Sequence, residues 1–216
     1  MTDTAPSPIQ RIAVFPLSGA VLFPGLQLPL HIFEPRYRAM VQDVLIRDRQ
    51  IGMIQPRPNA AGASAEHPPL YDIGCLGRIT DVEALEDGRF NIVLEGVSRF
   101  RVLRELETST LFRQVEAQLD PTDRPDDILA SIERASLERE ARRFAERQGY
   151  MVDWDAVTRL DDEMLVNGIA QVAPFDAASK QAMLESQTIS DRCELLVQLM
   201  QFFSRIDNPD NNPTLQ

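Results

Sequence analysis

The feature that most constrains the fold is a change of hydrophobic period at Asp120-Pro121-Thr122-Asp123-Arg124-Pro125. Before this acidic, proline-punctuated stretch, apolar residues mostly alternate with polar ones; beyond it they recur every three to four positions. Alternation buries one face of a strand, and the longer period buries one stripe of a helix. The chain is therefore expected to hold a β lobe over residues 1–120 and a helical lobe over residues 121–206, with 207–216 as a flexible polar tail. The expected class is α+β: a small mixed β-barrel or rolled sheet with one inserted helix, then a helical bundle ending in a long helix.

Within the first lobe, residues 11–15 are a short apolar run ended by Pro16. Residues 26–32 are a second, whose Pro29 marks an edge or a kink because proline donates nothing to a neighbouring strand. Glu34-Pro35 opens a helix, with a carboxylate at the positive end of its dipole and proline in the first turn. Tyr37, Met40, Val41, Val44 and Leu45 then follow at helical spacing. Residues 50–55 resume as strand, and 56–69, which hold four prolines, read as a loop. Residues 71–86 read as a long or bent strand with Gly74 and Gly77 as bulge candidates. Asp87-Gly88 signals a hairpin turn. Phe90, Ile92 and Leu94 alternate along its return arm, which continues over 98–106, and residues 111–119 supply the last strand.

In the second lobe, Ile128, Leu129, Ile132 and Ala135 begin an amphipathic face that Phe144 and Ala145 continue. Met164, Leu165, Ile169 and Val172 mark a second helix, and residues 176–185 a third. Leu195, Leu196, Leu199, Phe202, Phe203 and Ile206 form the clearest stripe. Thr188 and Asp191 have capping-box spacing. The acidic groups Asp126-Asp127 and Asp161-Asp162-Glu163 are expected to start helices, where carboxylates offset the dipole, and not to hold a cation.

Charge and chemistry narrow the functions. Lys+Arg of 22 against Asp+Glu of 33 gives −11, a field that repels phosphate backbones, so no nucleic-acid partner is expected. Arg89, Arg99, Arg101 and Arg104 read as exposed strand positions paired with Glu95, Glu105 and Glu107. No apolar run approaches the roughly 18 residues of a membrane helix, so no membrane partner is expected. The start lacks the order of a signal peptide, and Cys75 and Cys193 make no disulfide framework, so a cytoplasmic location is expected. Lys180, the one lysine, has no glycine-rich phosphate cradle before it, and Ser179 beside it points elsewhere on a helix. His31, His67, Cys75 and Cys193 lack the short spacings that pre-order a metal site. His31 reads as a structural histidine and His67 as a loop residue. No catalytic residue, cofactor or metal is expected, and hence no enzyme.

Phe15-Pro16-Leu17, Leu22-Phe23-Pro24-Gly25 and Leu28-Pro29-Leu30-His31-Ile32-Phe33-Glu34-Pro35-Arg36-Tyr37 together resemble the N-terminal domain of Lon proteases, in the form carried by small stand-alone bacterial proteins. Ile73-Gly74-Cys75-Leu76-Gly77-Arg78-Ile79 resembles that family's central strand, and residues 87–100 its hairpin. Lys180-Gln181-Ala182-Met183-Leu184-Glu185 with Asp191-Arg192 resembles its helical signature. The resemblance runs from about residue 12 to residue 206. It implies a PUA-like β lobe followed by a helical bundle, and a role in recognising protein substrates or partners. In the full protease this region lies outside the ATPase and peptidase modules, and this sequence contains neither.

The resulting expectation is a non-enzymatic module that binds unfolded or extended polypeptide, or a protein partner, in protein quality control. The alternatives are an oligomerisation or scaffold module without client binding, and an RNA-binding PUA-like protein. Leu22, Phe23, Pro24, Gly25 and Leu26 form the candidate peptide-binding segment, two large apolar groups beside residues that hold a loop open; the competing expectation is that Leu22 and Phe23 plug the core. Glu34 and Pro35 are expected to start a helix. Arg36, Arg78 and Arg99 are expected to tie loops together by bidentate hydrogen bonds.

Overall fold

Phe100 explains much of the first half of the fold. Its ring is fully buried among Ile12, Val14, Ile54, Leu76, Val115 and Ala117. In the computed structural model, which describes residues 9–57, 67–120 and 128–206, the chain falls into two units, Met1–Arg124 and Pro125–Gln216. Residues 58–66 of the expected 56–69 loop, residues 121–125 of the expected joint, Asp126-Asp127, and the tail at 207–216 lie outside the described residues.

The first unit runs β1 (Ile9–Pro16), β2 (Gln27–Ile32), α1 (Pro35–Ile46), β3 (Gln50–Ile54), β4 (Ile73–Ala84), β5 (Phe90–Leu106) and β6 (Gln114–Leu119). The strand order is β2-β5-β4-β3-β1-β6, and β6 pairs back onto β5, so the sheet rolls closed while β2 remains on the outside. Only β1 and β3 pair in parallel. The 17-residue β5 makes this possible, because its first part pairs with β2 and its second with β6. Pro29 sits in β2, an edge strand where a missing N–H is tolerated. Phe90, Ile92 and Leu94 point into the core as alternation requires.

Two glycines expected to act alike do different work. Gly77 does lie at a register shift between β4 and β5. Gly74 does not: a Cβ there would stand 2.5 Å from the Phe100 ring, so the absent side chain makes room for the core.

The second unit holds α2 (Ser131–Gln148), α3 (Trp154–Val157), α4 (Asp162–Val172), α5 (Ala177–Glu185) and α6 (Ile189–Ile206). Aspartates start three of these helices: Asp153, Asp161 and Asp176 accept from the N–H of Ala156, Met164 and Ser179 at 3.0, 2.7 and 2.7 Å. Thr188 accepts from the Asp191 N–H at 3.1 Å and gives its hydroxyl proton to the Asp191 carboxylate at 2.7 Å, the shorter side chain reaching the hydroxyl instead of the backbone.

The apolar stripes are partly displaced from their expected positions. Leu129, Phe144 and Ala145 are buried as expected, but Ile128 and Ile132 are 73% and 79% exposed, and Leu137 and Ala141 complete the buried face of α2. On α6 the buried face is Ile189, Cys193, Leu196 and Met200, leaving Phe202 58% exposed. Arg192 is buried with it and joins three helices, donating to the Asn167 side-chain oxygen at 2.6 Å and the Met183 carbonyl at 2.9 Å. Lys180 is not a solvated surface residue. It is half-buried, and its ammonium donates to the Gln171 carbonyl at 2.7 Å, in the last turn of α4, where a cation suits the dipole.

Candidate functional site

Gly149 ends α2 in the left-handed conformation, at φ 73°, and turns the chain so that Tyr150, Val152 and Trp154 pass back over the helices. These residues and Leu160 form one wall of an apolar groove of about 280 Å³. Phe144 and Ala145 of α2, Met164, Ile169 and Val172 of α4 and Met200 of α6 line it as well. Arg142 stacks over the Trp154 ring at 4.8 Å and holds that wall. Arg134 holds the far end: it pairs with Asp162 and donates to the Leu160 carbonyl at 2.9 Å, while Asp162 also accepts from the Leu129 N–H at 2.9 Å.

Gly168 is the unusual member. It lies inside α4 and lines the groove, and a Cβ built on it would meet no atom within 4 Å. A glycine in a helix interior costs about 1 kcal/mol relative to alanine, and here no neighbour requires it. The missing side chain leaves that space open, where any larger residue would project. Tyr150 and Val172, 48% and 78% exposed, stand at the mouth. This is a volume for one or two apolar side chains, at the low end of the few hundred Å³ typical of a ligand pocket.

A larger cleft, of about 510 Å³, lies in the first unit between Tyr37, Leu106, Leu111 and Arg113. Both of its arginines are engaged by neighbouring groups. Arg113 grips both oxygens of Glu105 at 2.6 Å and the Pro68 carbonyl at 2.8 Å. Arg36 pairs with Glu34 at 2.9 Å and lies over the Tyr37 ring. Burial pushes the Tyr37 phenol above its ordinary pKa.

Leu22 and Phe23, in the segment singled out for peptide binding, take the core position that was its competing expectation. Leu22 and Phe23 are 1% and 0% exposed, and Pro24 is buried with them. Gly25, at φ 78°, donates to the Gly96 carbonyl at 2.9 Å, and Gly96 donates to Leu26 at 2.8 Å. The loop is pinned to β5 and its apolar groups fill the core, which removes the exposed surface that peptide binding there requires. Pro35 does open α1 with Glu34 at its N-cap, but the Glu34 carboxylate binds Arg36 and no backbone amide. Arg36 reaches a single oxygen, and Arg99 pairs with Asp120 at 3.1 Å. The Arg78 side chain is exposed and makes no hydrogen bond or ion pair among the described residues, so it ties no loop; its backbone pairs in β4. The strand arginines find carboxylates other than those expected: Arg89 takes Asp87 and Arg104 takes Glu116, while Glu105 goes to Arg113. His31 is exposed and bonded to Asn91 at 2.7 Å. Cys75 and Cys193 are buried free thiols, one in each unit, and no group of side chains among the described residues is arranged to hold a metal ion. Among them, no helix is long and apolar enough to cross a membrane.

Sequence reasoning missed the groove, although Gly168 inside an amphipathic pattern was a signal of it. The family model described as the ATP-dependent protease La (LON) substrate-binding domain matches residues 11–201. Lon protease 2 of Myxococcus xanthus is 26% identical over 200 residues, covering 88% of this chain and 23% of that protein. Lon protease 1 of Bdellovibrio bacteriovorus is 27% identical over 204 residues, 88% of this chain and 24% of that protein. The chain thus spans about a quarter of the length of these relatives. The crystal structure of a Lon N-terminal domain protein from Xanthomonas campestris has a TM-score of 0.64 at 21% identity, covering 88% of this chain and 98% of that one. The N-terminal domain of the Mycobacterium avium complex Lon protease has a TM-score of 0.67 at 16% identity, covering 89% and 98%. Rolled sheet, helical bundle and family match agree, and the chain belongs to the Lon substrate-binding domain family.

Proposed function

We propose that this chain binds extended or unfolded polypeptide without chemistry of its own, seating apolar client side chains in the groove of the helical unit. Its place is in the cytoplasm, as an accessory to proteolysis or protein quality control. The observation that carries this reading is Gly168: an open space lining an apolar groove, kept at a cost to helix stability. The substrate-binding description of the family supports a polypeptide as the occupant. Burying one apolar side chain gives about 1.5–3 kcal/mol. A hold that weak per residue suits a surface that samples a chain at several places and lets go.

The test is a pair of substitutions at one position. Gly168→Leu fills the groove, and Gly168→Ala leaves it almost unchanged. Binding to a fluorescently labelled, permanently unfolded protein is followed by anisotropy. At least a tenfold loss for the leucine variant, with the alanine variant near wild type, is the expected result. A folded leucine variant that binds as well as wild type overturns the reading.

A further inference from the structure

We propose that the groove selects apolar side chains flanked by lysine or arginine; this rests on the polypeptide-binding reading above. The groove itself carries no charge. The segment that forms its outer wall and leads into α4, residues 150–163, holds Asp153, Asp155, Asp161, Asp162 and Glu163 against a single cation, Arg159.

The fate of each charge can be followed. Asp162 is neutralised by Arg134. Asp153 and Asp161 accept backbone amides as helix caps and keep their charge. Asp155 and Glu163 are exposed, and none of these four forms an ion pair among the described residues. Arg159 keeps its charge, its Nε donating to the Asp155 carbonyl at 3.0 Å, and offsets about one of them. Arg142 lies over Trp154. What remains is an uncharged slot whose border carries those four carboxylates against the guanidiniums of Arg159 and Arg142, a net negative rim.

A client whose apolar residue enters that slot carries its neighbouring side chains across the border. Each lysine–carboxylate pair at about 7 Å in water favours binding roughly threefold, and each glutamate disfavours it by as much. The effect is screened by salt. The chain's own residues 207–216 do not fit this description, because they carry Asp207 and Asp210 and no lysine or arginine.

The experiment uses the full chain and three short labelled peptides sharing a central Leu-Phe pair, flanked on both sides by lysines, glutamines or glutamates. At about 0.05 M salt the lysine peptide is expected to bind about tenfold tighter than the glutamate peptide, with glutamine between; the gap narrows as salt approaches about 0.5 M. Asp155→Asn combined with Glu163→Gln, two exposed changes outside the caps, is expected to shrink the preference. Equal affinity of the lysine and glutamate peptides, with the glutamine peptide still lost in Gly168→Leu, overturns the selectivity and leaves the groove standing. A lysine preference undiminished in Gly168→Leu overturns it also, as attraction to the acidic surface at large. If no peptide binds, or if the glutamine peptide binds Gly168→Leu as well as wild type, the groove reading itself fails and the selectivity falls with it.

Discussion

A Cβ on Gly96 would lie 2.1 Å from the carbonyl oxygen of Phe23. That approach lets the 23–26 segment hydrogen-bond to β5 while Leu22 and Phe23 turn inward. Neither the backbone of the loop nor that of the strand can yield without losing those bonds. Gly96→Ala is expected to destabilise the first unit by about 2–4 kcal/mol, as other core-displacing substitutions do. Urea denaturation measures it, and a change below about 0.5 kcal/mol would show that the loop is free to move.

At Gly168 the opposite holds. Gly168→Ala meets open space and gains helix propensity, so it is expected to stabilise the helical unit by about 0.5–1 kcal/mol. Thermal unfolding followed by circular dichroism decides; a loss of stability would mean that the space at Gly168 is already packed.

Arg134 joins α2 to the residues leading into α4 through Asp162 and the Leu160 carbonyl. Arg134→Met keeps the aliphatic stem and removes the hydrogen bonds, leaving Asp162 with an uncompensated charge. A loss of about 1–3 kcal/mol is expected. Hydrogen exchange should quicken at residues 158–162 before it does elsewhere in the unit. Uniform quickening would assign Arg134 to global stability alone.

Burial, with Glu133 and Asp162 nearby, pushes the Cys193 thiol up from 9.0 to about 11. Above pH 9 the unfolded chain gives up this proton while the folded one keeps it. The associated stability is therefore full below pH 9 and is lost as the pH rises through about 11, to the extent of about 3 kcal/mol. Cys193→Ala should flatten the alkaline limb of the stability curve relative to wild type. The two curves running parallel from pH 8 to pH 11 would contradict it.

Elements set by local pattern were legible in the sequence. Alternation placed Phe90, Ile92 and Leu94 inward, and Glu34-Pro35 marked the start of α1. Positions settled by distant partners were not. Leu22 and Phe23 read either as a loop surface or as a core plug until Gly96 is brought beneath them. Ile128 and Ile132 share the period of a buried face, but the packing of α2 begins at Leu137. Arg104 found Glu116 by register across β5 and β6, which alternation alone leaves open, while Arg89 took Asp87 within its own turn. Four-residue α3 is too short to show a period, and the groove it helps to line arises only once three helices are packed.

The closure of the sheet also has a consequence in time. Arg11 of β1 and Gln114 of β6 hydrogen-bond across 103 positions of sequence. Pairings this remote slow folding, because the chain entropy of the loop is surrendered before any contact compensates it. On a ribosome adding about 5–20 residues per second, β1 waits on the order of ten seconds for its partner to be made. Through that interval one side of β1 and the far half of β5 have no β6 to pair with. A chain proposed to hold unfolded polypeptides thus spends its own first seconds as one.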